Sequence, residues 1–181
     1  MKVILISGKA GHGKDQFASF LKDALEAANK TVLIIKFGDA VKWMAKDYLG
    51  WNGEKDEHGR TLLQQFATDT MRTQYPTYWG EIVAKFIAAE NKWDIVLLSD
   101  WRFENEFETI YKYNSDIITV RVNRFDSNGK LYYNSNMRNH QLTHISECEL
   151  DNFNFEYIIE NRNDLIALKN SAELFTKELL K

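Results

Sequence analysis

The stretch Gly8-Lys9-Ala10-Gly11-His12-Gly13-Lys14-Asp15 has the residue types and spacing of a phosphate cradle. It follows the apolar run Val3-Ile4-Leu5-Ile6 and leads into a segment with helical apolar spacing. A strand feeding a glycine-rich turn and then a helix collects unpaired N–H groups at the helix N-terminus, where the dipole also attracts anions. The order matches Gly-x4-Gly-Lys, in which glycines supply the backbone angles and Lys14 reaches the β- and γ-phosphates of a nucleotide. Expected nucleotide contacts are Gly8, Lys9, Ala10, Gly11, His12, Gly13, Lys14, Asp15 and Gln16. Asp15 stands where Ser or Thr is usual. Its carboxylate either binds Mg²⁺, directly or through water, or only caps the helix. A second carboxylate should end a neighbouring apolar strand, and Ile95-Val96-Leu97-Leu98-Ser99-Asp100 supplies Asp100. Asp15 and Asp100 are therefore the expected metal ligands.

Competing motifs fit less well. A dinucleotide fingerprint is Gly-x-Gly-x-x-Gly, whereas these glycines fall at 8, 11 and 13. No Tyr has a Lys four residues later, so the Tyr-Lys pair of a short-chain dehydrogenase is missing. Asn91-Lys92-Trp93-Asp94 spells a guanine-specificity motif, but it precedes a strand instead of following one. His140, His144 and Cys148 are spaced by four, yet they lack a fourth ligand and sit among Glu147 and Glu149, which argues against zinc.

A phosphate donor needs an acceptor, and two further groups of residues suggest where it binds. Arg60, Gln64, Thr68 and Arg72 recur every four residues, a helical stripe opposite Leu62, Leu63, Phe66 and Ala67. Arg124, Lys130 and Arg138 lie in a polar, Asn-rich stretch suited to a lid that closes over polyphosphate. Arg102 follows Asp100 by two residues, at the sheet edge where open α/β folds bind ligands. No residue stands out as a general base. A phosphate monoester, largely dianionic at neutral pH with a second pKa near ~6, needs none, so arginines without a base favour a phosphate acceptor over a hydroxyl.

The elements that must position these groups alternate. Residues 2–7, 31–36, 94–99, 116–122 and 155–159 read as strands, and 14–28, 40–48, 60–73, 79–90, 104–113 and 163–180 as helices. Continuous apolar strands suit a parallel sheet covered on both faces, hence a three-layer α/β fold with five parallel strands. Two stretches break the alternation and read as insertions that serve a ligand: about 39–91, with three helical patterns, and about 124–143. The core of this single domain is 1–38, 92–123 and 144–181. The 181 residues, 44% hydrophobic and 27% charged, fit one globular domain and exclude a disordered or fibrous chain. A net charge of −3 argues against a broad grip on nucleic acid, so an anionic ligand must be met by a local cluster. One cysteine, no secretory leader and no apolar run near the ~20 residues of a membrane span give an expectation of a cytoplasmic protein.

Together these residues resemble the phage deoxynucleoside monophosphate kinases, P-loop enzymes that phosphorylate dNMPs with ATP. The resemblance rests on Ser7-Gly8 to Lys14-Asp15, Phe37-Gly38-Asp39, Leu63-Gln64, Ala67-Thr68-Asp69, Arg72 and Trp79. It continues with Ser99-Asp100-Trp101-Arg102-Phe103-Glu104-Asn105-Glu106, Arg124, His144-Ile145-Ser146-Glu147 and Leu150-Asp151. Gly38, Ala67 and Glu104 depart from the family's usual Ala, Gly and Pro. The resemblance implies ATP and Mg²⁺ as cofactors, with 39–91 as the monophosphate-binding region and 124–143 as the lid. It puts Lys14, Arg72, Arg102 and Arg124 in the catalytic machinery, with Arg138 closing from the lid. Asp39, Gln64 and Trp79 would line the nucleoside pocket. The expected partner is a dNMP, with no nucleic acid or membrane, and the oligomeric state is left open between monomer and homodimer. A phage-encoded chain would work in its host's cytoplasm. Phosphomevalonate kinases of the animal type, sharing a Gly-Lys-Asp loop, and a non-catalytic nucleotide-binding module are the alternatives.

Overall fold

The computed structural model describes every residue except Asn91, Asn136 and Asn163, and every described side chain except that of Asn139. The start of the last expected helix and the end of the first insertion therefore lie outside the described residues. Five strands, β1 (Lys2–Ser7), β2 (Val32–Ile35), β3 (Ile95–Trp101), β4 (Ile117–Arg124) and β5 (Tyr157–Asn161), form one sheet in the order β2-β3-β1-β4-β5. Every neighbouring pair is parallel. The helices are α1 (Lys14–Ala27), α2 (Gly38–Tyr48), α3 (Glu57–Gln64), α4 (Tyr78–Ala89), α5 (Glu104–Tyr113), α6 (Asn139–Leu142), α7 (Ile145–Cys148) and α8 (Leu165–Leu179). Among the described residues no helix is long and apolar enough to cross a membrane.

The three layers follow from the strands' apolar runs. In β1, Ile4 and Ile6 pack on one face against Phe17, Leu21 and Leu25 of α1 and Leu168, Ala172 and Phe175 of α8. Val3 and Leu5 face the other way, with Val83, Ala84 and Ile87 of α4 and Ile110 of α5. Ile4, Leu5 and Ile6 have no exposed surface, and full burial of each contributes about 1.5–3 kcal/mol. Because the strands are parallel, the glycine-rich loop after β1, Phe37 after β2 and Asp100 near the end of β3 meet at the same end of the sheet.

The expected helix over 60–73 is interrupted. After α3 the chain continues as a π-helix, Gln65–Arg72. The Trp79 indole N–H donates to the Ala67 carbonyl at 3.1 Å, and such an inserted donor is one way an α-helical ladder is displaced. A π-helix has more residues per turn than an α-helix, so a period-four stripe that drifts one way along α3 drifts back along the π segment. Gln64, Thr68 and Arg72 thus stay on one wall, and Leu63 and Ala67 join them there instead of lying opposite.

The 124–143 stretch is docked. Phe125 bridges Leu131, and Tyr132 N–H donates to Arg124 O at 2.8 Å. Gln141 is fully buried, its amide donating to Glu57 O at 3.1 Å and Thr61 Oγ1 at 3.2 Å on α3.

Candidate functional site

In the loop after β1 the Ala10 and His12 amides are engaged, by Glu147 Oε2 at 3.0 Å and Lys9 O at 3.1 Å, while the start of the following helix is left uncapped. Gly13 occupies the N-cap of α1 with φ 91°, and no side chain caps that helix. A Cβ at Gly13 would come within 2.6 Å of Asn161 Nδ2, so the position requires glycine for space as well as for φ. The first hydrogen bond of α1 runs from Phe17 N–H to Gly13 O at 2.9 Å. The amides of Lys14, Asp15 and Gln16 precede it and have no partner within the helix. Beside them, Lys14 is only 7% exposed, and among the described residues its ammonium makes no hydrogen bond or ion pair. Burial, then the charge of Arg102, lowers its pKa to about 8. A buried cation without an acceptor, next to an uncapped helix start, fits a polyphosphate.

Asp15 does not cap α1. Its Oδ1 is held by the Lys36 ammonium and by Ser99 Oγ at 3.3 Å. Partial burial works against its charge, but the Lys36 hydrogen bond and the charges of Lys14 and Lys36 outweigh that and keep the carboxyl below its ordinary range. Asp100 spans the start of α2, with Oδ1 accepting from Phe37 N–H at 2.8 Å and Oδ2 from Gly38 N–H at 2.9 Å. Each carboxylate keeps further lone pairs, and both line the same cleft. Among the described residues no three His, Cys, Asp or Glu side chains cluster as a metal site. Two carboxylates on one cleft suit Mg²⁺, whose remaining ligands would be phosphate oxygens and water.

The cleft, about 220 Å³, runs from Lys14 and Asp15 to the π segment and α4. Seven basic and four acidic side chains line it, so an acidic chain carries a locally positive site. Arg72 pairs with Glu106 and lies 3.9 Å over the Phe103 ring. Glu106 is 1% exposed and also accepts from Arg102 N–H at 2.9 Å and Phe103 N–H at 3.1 Å. Burial pushes its pKa up to about 7, against the opposing charge of Arg72. Arg102 pairs with Glu147 at 2.7 Å and donates to Ser146 O at 3.1 Å.

Of the residues expected from sequence, Lys14, Asp15, Arg60, Gln64, Thr68, Arg72, Trp79, Asp100 and Arg102 come together in this cleft. Asp39 does not line it; the residue is exposed at the start of α2, paired with Lys42 at 3.0 Å. Arg124 lies outside it at the loop, donating to Gly11 O at 3.0 Å and lying 4.1 Å over the Tyr132 ring. His12 is buried as a strut: Nε2 meets Tyr132 O at 3.1 Å, and Nδ1 accepts from Arg124 N–H at 3.3 Å. Burial lowers its pKa and keeps it neutral. Lys9 pairs with Asp151 at 2.6 Å, behind the loop. Gln16 is exposed on α1. Arg138 pairs with Glu57 of α3 at 2.8 Å instead of turning toward the loop, and Lys130 is exposed in a turn whose backbone closes on Asp126. Gln64 donates to Gln141 O at 3.4 Å, so one of its groups is spent on α6.

Sequence reasoning missed Lys36, Lys42, Lys55 and Met137, which line the cleft, and gave Glu106 and Glu147 no role. Lys36 carried one signal, its place directly after β2; Glu106 and Glu147 stood in the quoted strings without a chemical reason.

No family model matches the chain, and no curated protein does. Solved structures do. A sugar kinase from a Janibacter species, in an unliganded structure, is 13% identical over 98% of this chain and 95% of its own, with TM-score 0.57. The APS kinase of Mycobacterium tuberculosis is 9% identical over 99% and 97%, with TM-score 0.53. A gluconokinase from Sinorhizobium meliloti is 13% identical over 98% and 93%, also with TM-score 0.53. At such identities the likeness is one of fold, and the chain has the three-layer α/β fold of these P-loop kinases.

Proposed function

We propose that this chain transfers the γ-phosphoryl group of ATP to a deoxynucleoside monophosphate. One observation carries the reading: a single cleft has an uncapped helix start with buried Lys14 at one end and Arg72 and Arg102 at the other. Its four carboxylates are already engaged, Asp15 by Lys36, Asp100 by two amides, Glu106 by Arg72 and Glu147 by Arg102. Glu106 and Glu147 are tied to the two arginines and Asp15 and Asp100 are assigned to the metal, a division that favours an acceptor that needs no base. A phosphate dianion needs no base; its oxygen bonds to the γ-phosphorus as the bond to the β–γ bridging oxygen breaks. Lys14 and the α1 amides hold the donor phosphates and offset charge on the γ-oxygens and the leaving oxygen. Arg72 and Arg102 orient the acceptor phosphate and lower the repulsion between the two anions. Asp15 and Asp100 would hold Mg²⁺, which supplies further charge on the phosphates.

The test is ADP release, coupled to a reporter, with the four dNMPs, the corresponding ribonucleotides and phosphomevalonate offered singly. The reading expects release that depends on one or more dNMPs. Release only with phosphomevalonate would move the acceptor to another class, and ATP binding without turnover on any acceptor would favour a non-catalytic module.

A further inference from the structure

We infer that Glu147 is a positioning residue that sets the phosphate loop and the acceptor arginine Arg102 with one buried carboxylate. The inference rests on the phosphoryl-transfer reading above. Glu147 Oε2 accepts from Ala10 N–H at 3.0 Å, and Oε1 pairs with Arg102 Nη1 at 2.7 Å. Its side chain is 7% exposed and lines the cleft beside Lys14. Ala10 follows β1 and Arg102 follows β3, two strands paired as far as Ser7 and Trp101, and Glu147 lies on α7, so the carboxylate ties a segment outside the sheet to the ends of two neighbouring strands.

The chemistry demands a carboxylate. Both neighbours are donors, and an ionised carboxylate presents acceptors on both oxygens with no hydrogen. A glutamine would turn its NH₂ group toward one donor in either orientation. Burial disfavours the charge, but Arg102 and the Ala10 amide hold Glu147 below the usual carboxylate range.

The surrounding segment is built to keep Glu147 still. His144 caps α7, its Nδ1 accepting from Ser146 N–H at 3.2 Å, while its Nε2 lies 3.2 Å from Asp69 on the π segment. Four residues beyond Glu147, Asp151 holds Lys9 at 2.6 Å and Arg121 at 2.9 Å, and Arg121 donates to Ser7 Oγ at 3.1 Å. This stretch therefore grips the loop twice, through Glu147 and Asp151, and of these two carboxylates Glu147 also touches Arg102, whose Nη1 donates to the neighbouring Ser146 O as well.

Glu147→Gln, Arg102→Ala and the double variant test this, with melting curves confirming the fold. Two quantities are read: calorimetric affinity for ADP with Mg²⁺, and kcat/KM for the best dNMP. Glu147→Gln should weaken ADP about 3- to 10-fold and lower acceptor kcat/KM about 10- to 100-fold. In the Arg102→Ala background, adding Glu147→Gln should change acceptor use less than about twofold while still weakening ADP, because the acceptor effect passes through Arg102. An undiminished acceptor loss in that background overturns the inference. So does unchanged or tighter ADP binding, which would make the carboxylate a competitor for phosphate at the Ala10 amide. Should Glu147→Gln not fold, Glu147→Asp, too short to span both partners, should give losses of the same direction. A wild type that turns over no dNMP defeats the proposed function alone; dNMP affinity then replaces kcat/KM in the same comparison.

Discussion

At one end of the cleft, phosphate would meet backbone amides and a single lysine, all within residues 8–16. At the other it would meet two arginines drawn from the π segment and the end of β3, each held by a buried carboxylate from yet another segment. Amides at a helix start are fixed by the backbone and need no partner to aim them. Guanidinium groups on long side chains repel each other and lose rotamer freedom when ordered, so Glu106 and Glu147 supply both the countercharge and the orientation. The groups that meet phosphate at the donor end are therefore supplied by one short segment, with Glu147 and Asp151 bracing its loop from outside, whereas the acceptor end takes its phosphate-binding groups themselves from separate segments.

If that contrast holds, damage at the donor end should cost the most per residue. Lys14→Ala should fold normally and lose at least about 2–4 kcal/mol of transition-state stabilisation, roughly 30- to 1000-fold in rate. Near-wild-type turnover would remove Lys14 from its role. At the acceptor end, Glu106→Gln should lower kcat/KM for the dNMP about 10-fold and leave the KM for ATP in place, because it disorders Arg72 without touching the loop. Loss of ATP affinity instead would mean that the two ends are not separable.

The same carboxyl predicts a pH effect on stability. Glu106 titrates near 7 when folded against about 4.3 in a free chain, so the folded state binds the extra proton between those values. Its contribution is fully present below the unfolded value and is lost as pH rises through about 7. Melting temperatures of wild type and Glu106→Gln, taken from pH 5 to 8, should show the wild type falling relative to the variant. A constant difference would mean that Glu106 is ionised throughout.

Smaller effects come next. Asp15→Asn and Asp100→Asn should each raise the Mg²⁺ needed for half-maximal rate by roughly 3- to 10-fold, since each removes one carboxylate from a shell otherwise made of phosphate and water. An unchanged metal titration for Asp15→Asn would leave that carboxylate as no more than a partner for Lys36. The least change is expected from Arg138→Ala, whose pair with Glu57 is 67% and 49% exposed and contributes at most about 1 kcal/mol. A large loss of activity there would show that Arg138 leaves Glu57 to reach the phosphates.

How much of this could be read in the sequence follows the same division. The phosphate loop and the strands depend on neighbours in the chain and on apolar runs, and residues 2–15 display both for β1 and its loop. The arginines were visible as types and spacing, but their carboxylates were not, since nothing local links Arg72 to Glu106 or Arg102 to Glu147. Leu63 and Ala67 are expected opposite the stripe, yet at about 100° per residue each lies within about 60° of Arg60 even on an ideal α-helix, and both line the cleft. Arg138 looked like a free lid residue, but its partner, Glu57, comes from a helix about eighty residues earlier.

The division of the cleft into donor and acceptor ends is tested most directly by two titrations on folded Arg72→Ala: dNMP at saturating ATP, and ATP at saturating dNMP. A guanidinium bidentate to the acceptor phosphate contributes roughly 1.5–3 kcal/mol, so kcat/KM for the dNMP should fall about 10- to 150-fold while the KM for ATP stays at the wild-type value. Two curves that overlay the wild type would make Arg72 only Glu106's structural partner, and a shift confined to the ATP curve would mean that the two substrates occupy the opposite ends.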